Sequence, residues 1–470
     1  MLLAIFAWLV VWLAVWPYTG DGDSMLHYLN LREAAIDPKA GLTSWARPVY
    51  VLLMVFPAMA GLIATRIAAA LITILLVWQT MKLADDLKIQ RATLAGWLLI
   101  LQPLVFALAS DTMTEIPMAL GLTLAIRWWL AKRYAASCLL MSFLPFVRPE
   151  GLLLAPVWGL LLLLLPYNKE HPSLFARFGI GSLLSVGSIC LLVACYLLAD
   201  DWLYYIHAWS WPLGLINRGP IWHHVTNWPY YCGPVLLVLF LCGIKPSLNR
   251  EMTVPWIVWL VVFVSHSFFY YFGMFGSVGF MRIMVTTAPV TAMVCLEGWN
   301  VIARLPRLRE MSGKAQRFAT ASVLMLSAIV VMVFYYADPQ HHHCFAAREA
   351  GTFLKDQALI NSAPAFFVGD SIVLEAINYP VKSNQIVRNK FDRQEQLELL
   401  AKLPVGTVGV WDDGQSLFWH HIRLEDFPAL GYRVIYSAQH QIKYFKSLAP
   451  IFRFDRKQGE QTFIIVVKEK

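Results

Sequence analysis

The stretch RPEGLLLAPVWGLLLLLLP, residues 148–166, sets Arg148 and Glu150 directly against an apolar run that begins at Gly151. Wound as a helix at about 1.5 Å per residue, such a run covers most of the ~30 Å of hydrocarbon in a bilayer. Pro149 and Gly151 break the helices here, so the charged pair is left at the membrane edge. The same pattern repeats through residues 1–340. Apolar segments at roughly 2–17, 66–81, 92–109, 114–130, 135–147, 151–166, 178–199, 229–244, 253–271, 283–300 and 319–336 predict eleven spans. A backbone in lipid must satisfy its own polar groups, and continuous apolar runs do so as helices, not as barrel strands.

The whole chain agrees with this reading. Its 470 residues are 58% hydrophobic and 14% charged, with a mean hydropathy of +0.56, too apolar for a soluble protein of this length. The formal charge of +8 does not point to nucleic acid. Lys82, Lys88, Arg91, Lys132, Arg133, Lys245, Arg250, Arg304 and Arg317 fall in alternate short loops, the pattern expected of cytoplasmic loops. Pro48 to Ala64 is apolar enough to cross, but a crossing would turn every later basic loop outward. The segment is therefore expected to be interfacial or re-entrant, flanked by Arg47 and Arg66 and carrying Pro57. Met1 to Trp16 lacks a basic leader and a small-residue cleavage site, which predicts a retained first span. Cysteines 138, 190, 195, 242 and 295 sit inside spans without ligand spacing, so neither disulfides nor a thiolate metal site is expected.

After Tyr336 hydropathy falls and charges of both signs appear. Short β-rich runs at 365–368, 405–411, 433–436 and 463–467 alternate with helical stretches. The expected fold class is mostly α. A polytopic transmembrane helical bundle of about eleven spans, plus the re-entrant or interfacial segment, occupies 1–337, and a small C-terminal α/β soluble domain on the outer face occupies 338–470.

Ionisable residues gather at one depth, where charges are costly and tend to serve function. Four places share the outer face. Gly20-Asp21-Gly22-Asp23-Ser24 follows the first span, with His27 and Tyr28 just beyond. Two carboxylates one glycine apart can face a cleft, one as general base, both as ligands of a divalent cation such as Mg²⁺ or Mn²⁺; a solvated Asp-Gly turn is the plainer alternative. In Asp111-Thr112-Met113-Thr114-Glu115-Ile116-Pro117 the two acids are four apart and share a face if the turn is helical, with Thr114 or Asp111 as a cap. Arg148-Pro149-Glu150-Gly151 offers at the least a local ion pair. Gly273 to Arg282 is a Gly-rich loop ending in a guanidinium that can grip a phosphate bidentately or snorkel to the interface. Trp209, Trp211 and Trp222 suit sugar stacking, and equally an interfacial aromatic belt. His341-His342-His343 reads as a juxtamembrane stretch before it reads as a metal site.

In order and sidedness these elements resemble the C-type (GT-C) polyprenyl-phosphate-sugar-dependent membrane glycosyltransferases, the superfamily of protein mannosyltransferases and aminoarabinose transferases. The elements are the first-loop acid with Tyr28, Met113-Thr114-Glu115-x-Pro117, Arg148-Pro149-Glu150-Gly151, and the late loop with Arg282. The likeness covers about residues 1–340. Many members have adjacent acids in the first loop, whereas here Ser24 follows Asp23 and Asp21 lies upstream. The resemblance implies inverting transfer of one sugar from a polyprenyl-phosphate donor to a lipid, glycan or protein acceptor. Asp23 would be the base and Asp21 a metal or acceptor contact. Arg282 and Arg148 would hold the donor phosphate, and Asp111, Glu115, Glu150, Tyr28 and His27 would orient the loop or the acceptor. Short cytoplasmic loops suggest a bacterial inner membrane with the site facing the periplasm, and an endoplasmic-reticulum membrane with a lumenal site obeys the same physics. A lipid-linked glycan ligase or polymerase shares the donor chemistry and remains the alternative. A transporter fits less well, because the acids lie at one end of the spans and no duplicated half is evident.

Overall fold

The computed structural model describes residues 1–15, 22–166, 171–209, 218–275, 277–306, 312–337, 339–378, 385–387, 389–390, 392–413, 415–418, 420–441 and 460–470. These form two compact units. Residues 1–15 and 34–335 make the first; residues 22–33, 336–441 and 460–470 make the second.

The first unit is helical. Leu62–Asp86, Leu174–Ala199, Thr253–Phe272 and Gly313–Val333 are long and apolar enough to cross a membrane, and Leu2–Val15, Pro48–Met59, Tyr134–Phe146, Glu150–Leu163 and Pro234–Ser247 are shorter apolar helices. Leu52, Phe56, Phe175, Leu197 and Phe318 point outward and are exposed. Hydrocarbon accepts such a surface and water does not. The chain is an integral membrane protein.

Where the helices stop differs from the sequence pattern for identifiable reasons. The expected span at 92–109 is two helices, Ala92–Ile100 and Pro103–Leu108, because Pro103 has no N–H to continue the ladder. Fully buried Gln102 fills the break and donates its side-chain amide to the Ala288 carbonyl at 3.0 Å. The segment at 48–64 contributes the helix Pro48–Met59, about 18 Å long and too short for the hydrocarbon. Gly61, at φ +108, then turns the chain into Leu62–Asp86, which extends the expected span at both ends.

Helices Pro234–Ser247 and Ala288–Ala303 pack backbone to backbone. A methyl group on Gly243 would lie 1.8 Å from the Val294 carbonyl oxygen, and one on Gly298 would lie 1.8 Å from that of Leu239. Only glycine permits this approach, which in lipid supplies the close van der Waals contact that burial from water cannot. Tyr231 ties the same region by donating to the Met284 carbonyl at 3.1 Å.

The second unit holds a four-stranded sheet in the order β1-β2-β4-β3, with β1 Phe366–Val368, β2 Val408–Asp412, β3 Tyr432–Gln441 and β4 Glu460–Lys468. β1 and β2 are parallel and every residue of both is buried, as strands covered on both faces must be. β4 runs antiparallel to β2 and β3. One face gathers Phe367, Trp411, Phe427, Tyr432, Ile464 and Val466 into a core. Lys468 donates to the Leu400, Ala401 and Leu403 carbonyls, satisfying the C-terminus of the helix Arg393–Lys402 with a cation where the helix dipole favours one.

Candidate functional site

In the first unit the loop 109–114 is not helical, so the condition under which Asp111 and Glu115 would share a helix face is not met. Pro117 explains it. A helix running back through this loop would need the missing Pro117 N–H, so the helix Glu115–Leu130 starts two residues earlier and no further back. Asp111 folds onto its own loop, its Oδ1 accepting from the Thr112 N–H at 3.0 Å. Two residues of Leu62–Asp86 hold the loop: Arg66 Nε donates to the Ser110 carbonyl at 3.0 Å and Thr73 Oγ1 to the Ala109 carbonyl at 2.6 Å. Arg66 is only 2% exposed. Its sequence position, at the flank of the Pro48–Ala64 segment, gives no sign of that role.

Glu115 therefore begins a helix at full burial, and its carboxylate needs cations. Arg148 supplies the nearer, with Nη1 2.7 Å from Glu115 Oε1. The same guanidinium donates through Nε and Nη2 to the two oxygens of Glu150 at 3.1 and 2.9 Å, and through Nη1 to Thr114 Oγ1 at 3.0 Å. Thr114 thus receives Arg148 instead of capping its helix through its side chain, as the sequence had suggested. Arg148 joins the starts of the helices Glu115–Leu130 and Glu150–Leu163, and the planar fork of arginine suits the paired carboxylate oxygens. His266, from Thr253–Phe272, brings Nε2 to 3.6 Å from Glu150 Oε1. An imidazole within an otherwise apolar 20-residue helix was the available sequence signal for it.

Arg282 completes the cluster. Its Nε lies 3.5 Å from Glu115 Oε1 and its guanidinium sits 4.4 Å from the centre of the Phe280 ring. The preceding loop is fixed by His223, whose Nε2 donates to the Gly279 carbonyl at 2.8 Å, with Gly279 at φ +74 and closely covered by the Tyr270 ring. Three distant segments of sequence thus converge on Glu115: the Arg148-Pro149-Glu150 turn, the loop ending at Arg282, and His266 by way of Glu150. A buried set of fixed charges and dipoles can stabilise charge that develops on a ligand.

In the second unit Asp23 lies in the first turn of the helix Gly22–Ile36. His27 and Tyr28 follow on that helix, both buried. Burial pushes the Tyr28 phenol above its ordinary pKa; Arg32 opposes this shift and Glu375 adds to it. Asp21, Trp211 and part of the Gly-rich loop at residue 276 lie outside the described residues. Trp222 is exposed, as an interfacial residue would be. His341 to His343 fall in the helix Pro339–Asp356. Among the described residues no three or more His, Cys, Asp or Glu side chains gather as a metal site.

The described residues thus form a helical membrane unit and a small α/β unit, with ionisable groups at helix starts. Two solved structures share this fold over nearly the whole chain. The crystal structure of ArnT from Cupriavidus metallidurans in the apo state aligns with a TM-score of 0.58 at 12% identity, covering 98% of each chain. ArnT from the same organism bound to undecaprenyl phosphate aligns with a TM-score of 0.56 at 12% identity and the same coverage. At this identity the likeness is one of fold. No protein-family model and no curated protein sequence matches the chain.

Proposed function

We propose that the protein is an inverting glycosyltransferase that moves a single sugar from a polyprenyl-phosphate donor to a lipid, glycan or protein acceptor on the outer face of the membrane, in a bacterial inner membrane with the site facing the periplasm. The observation that carries the reading is the buried constellation of Glu115, Arg148, Glu150 and Arg282. It occurs in a fold shared with ArnT, one solved form of which holds undecaprenyl phosphate.

In the reaction an acceptor hydroxyl attacks the anomeric carbon, the bond from that carbon to the phosphate oxygen breaks, and the lipid phosphate leaves from the opposite face. The acceptor proton passes to Asp23, which the family resemblance assigns as base. Arg282 receives the charge that builds on the departing phosphate, because a guanidinium matches phosphate oxygens in pairs. Arg148, each of whose three nitrogens meets Glu115, Glu150 or Thr114, positions this surface and has the second Nη2 hydrogen as its donor toward the phosphate. Of the two first-loop acids only Asp23 is described, and no ligand set forms around it among the described residues. No step is therefore routed through Mg²⁺ or Mn²⁺.

The test is transfer from a panel of radiolabelled polyprenyl-phosphate sugars by the purified protein in detergent, with and without EDTA. Asp23→Asn is expected to lower kcat by about 10²- to 10⁴-fold, the usual weight of a positioned base. Arg282→Ala is expected to raise KM for the donor and lower kcat together. Consumption of no donor by the wild-type protein, with lipid-linked oligosaccharide extended instead, would replace the transferase with the ligase or polymerase reading.

A further inference from the structure

One contact in the second unit joins residues 349 apart. The Ser371 hydroxyl donates to the Gly22 carbonyl oxygen at 2.6 Å. That oxygen belongs to the Gly22–Asp23 peptide group, which is planar, so the direction of the carbonyl fixes the direction of the Asp23 N–H and the place of the Asp23 Cα, from which the side chain departs. Gly22 is the first residue of the helix Gly22–Ile36, so its carbonyl also faces the helix's own N–H ladder, and the serine hydroxyl adds a donor from outside the helix to this end, where glycine's broad access to φ and ψ leaves the backbone least constrained.

Ser371 is well placed to impose order. It opens the short helix Ser371–Ala376, directly after β1 and Gly369. Asp370, 1% exposed, caps that helix by accepting from the Ile372 N–H at 2.7 Å, and the Gly369 N–H reaches the Val410 carbonyl of β2. The serine thus stands at the carboxyl end of the parallel pair of the sheet. One helical turn on, Glu375 is ion-paired with Arg348 and lies within electrostatic reach of Tyr28. Arg32 places its guanidinium 5.9 Å from the centre of the Tyr28 ring. The helix carrying Asp23 therefore interacts with Ser371–Ala376 at two successive turns, through Gly22 and through Tyr28.

We propose that the C-terminal α/β unit is the device that aims the catalytic acid, with Ser371 as a positioning residue acting through the Gly22–Asp23 peptide. The inference rests on the reading of Asp23 as base and gives that reading its means of control. It also assigns the α/β unit a part in the reaction: the helix that follows β1 sets the geometry at the start of the helix Gly22–Ile36. The sequence motif contains only the acid and its glycines, and the hydroxyl that orients them comes from the far end of the chain.

The experiment measures kcat, KM for the donor and the thermal midpoint for full-length Ser371→Ala, Ser371→Thr, Asp23→Asn and the double variant Asp23→Asn/Ser371→Ala. Hydrogen exchange at residues 22–28 is followed alongside. Ser371→Ala is expected to lower kcat about 10- to 100-fold, the scale of a misplaced reacting group, with KM and midpoint unchanged and faster exchange at 22–28. Ser371→Thr keeps the hydroxyl and should recover most of the loss, and the double variant should be no slower than Asp23→Asn alone. Wild-type kcat in Ser371→Ala beside an inactive Asp23→Asn would overturn the positioning role and leave the function standing. An active Asp23→Asn would remove the base itself and this inference with it. A loss in Ser371→Ala that threonine does not recover, or that multiplies fully with Asp23→Asn, also overturns it.

Discussion

Arg148→Ala is expected to destabilise the protein by about 3–5 kcal/mol and to abolish transfer, because it leaves two buried carboxylates without their shared cation. Glu115 is fully buried and Glu150 is 4% exposed, so neither can turn to water when the guanidinium goes. Arg282, 3.5 Å from Glu115, compensates that acid only in part. Glu150 would keep only His266, at 3.6 Å. Lysine is no remedy: Arg148→Lys keeps the charge but cannot send Nε and Nη2 to both oxygens of Glu150 while Nη1 serves Glu115 and Thr114. The triple change Arg148→Met, Glu115→Gln, Glu150→Gln removes the charges together and should regain much of the stability with none of the activity, since burying ions is itself costly. Thermal midpoints in one detergent decide it; an Arg148→Ala midpoint equal to wild type would show that the cluster carries no such weight.

This asymmetry bears on how the site is built. Arg148 joins the starts of two helices, while the guanidinium of Arg282 arrives on a loop and meets the same carboxylate at longer range. A site that must hold a phosphate through charge build-up and then release it needs both kinds of cation. Arg148 fixes the negative surface in place, and under the proposed reaction Arg282 would be shared between that surface and the ligand. Activity should therefore fall with little loss of stability for Arg282→Ala, and with large loss for Arg148→Ala. The two arginines of one cluster are thus separable by experiment.

What the sequence reveals here follows from which interactions are local. Apolar runs such as 151–166 and the β-rich segments of the tail are legible because burial acts on every residue of the run. Glu115, Arg148, Glu150 and Arg282 are legible because charge beside hydrocarbon is rare enough to stand out. The loop at 109–114 stays open in the sequence because the i, i+4 spacing of Asp111 and Glu115 suits a helix while the breaker, Pro117, lies beyond them. Arg66 and Gln102 stay hidden because their partners, the Ser110 and Ala288 carbonyls, are backbone atoms with no sequence signature. Ser371 is hidden more completely, since nothing in an isolated Asp-Ser pair indicates a glycine carbonyl 349 residues away.

Gly298→Ala is expected to cost more than its single methyl group suggests, because that group would lie 1.8 Å from the Leu239 carbonyl oxygen, 2.8 Å from its carbon and 3.0 Å from the Gly243 nitrogen. All three are backbone atoms of Pro234–Ser247, so no side chain can swing aside and the helices themselves must separate. Separation loosens what is stacked across them, including the Cys295 contact with the Leu236 carbonyl. Overpacking of well-fitted interiors costs about 1–3 kcal/mol and more where backbone must move, so a loss of at least about 3 kcal/mol is expected. Gly243→Ala, facing the Val294 carbonyl oxygen at the same 1.8 Å, should match it. Gly179→Ala is the control: it too lies in an apolar helix, but an added methyl meets nothing within 4 Å. It should be neutral or slightly stabilising, since alanine is the better helix former. If the midpoints of Gly298→Ala and Gly179→Ala in detergent were equal, the close approach of the two helices would not be what holds this part of the bundle together. A large gap between them would locate much of the bundle's stability in a contact only a few atoms wide.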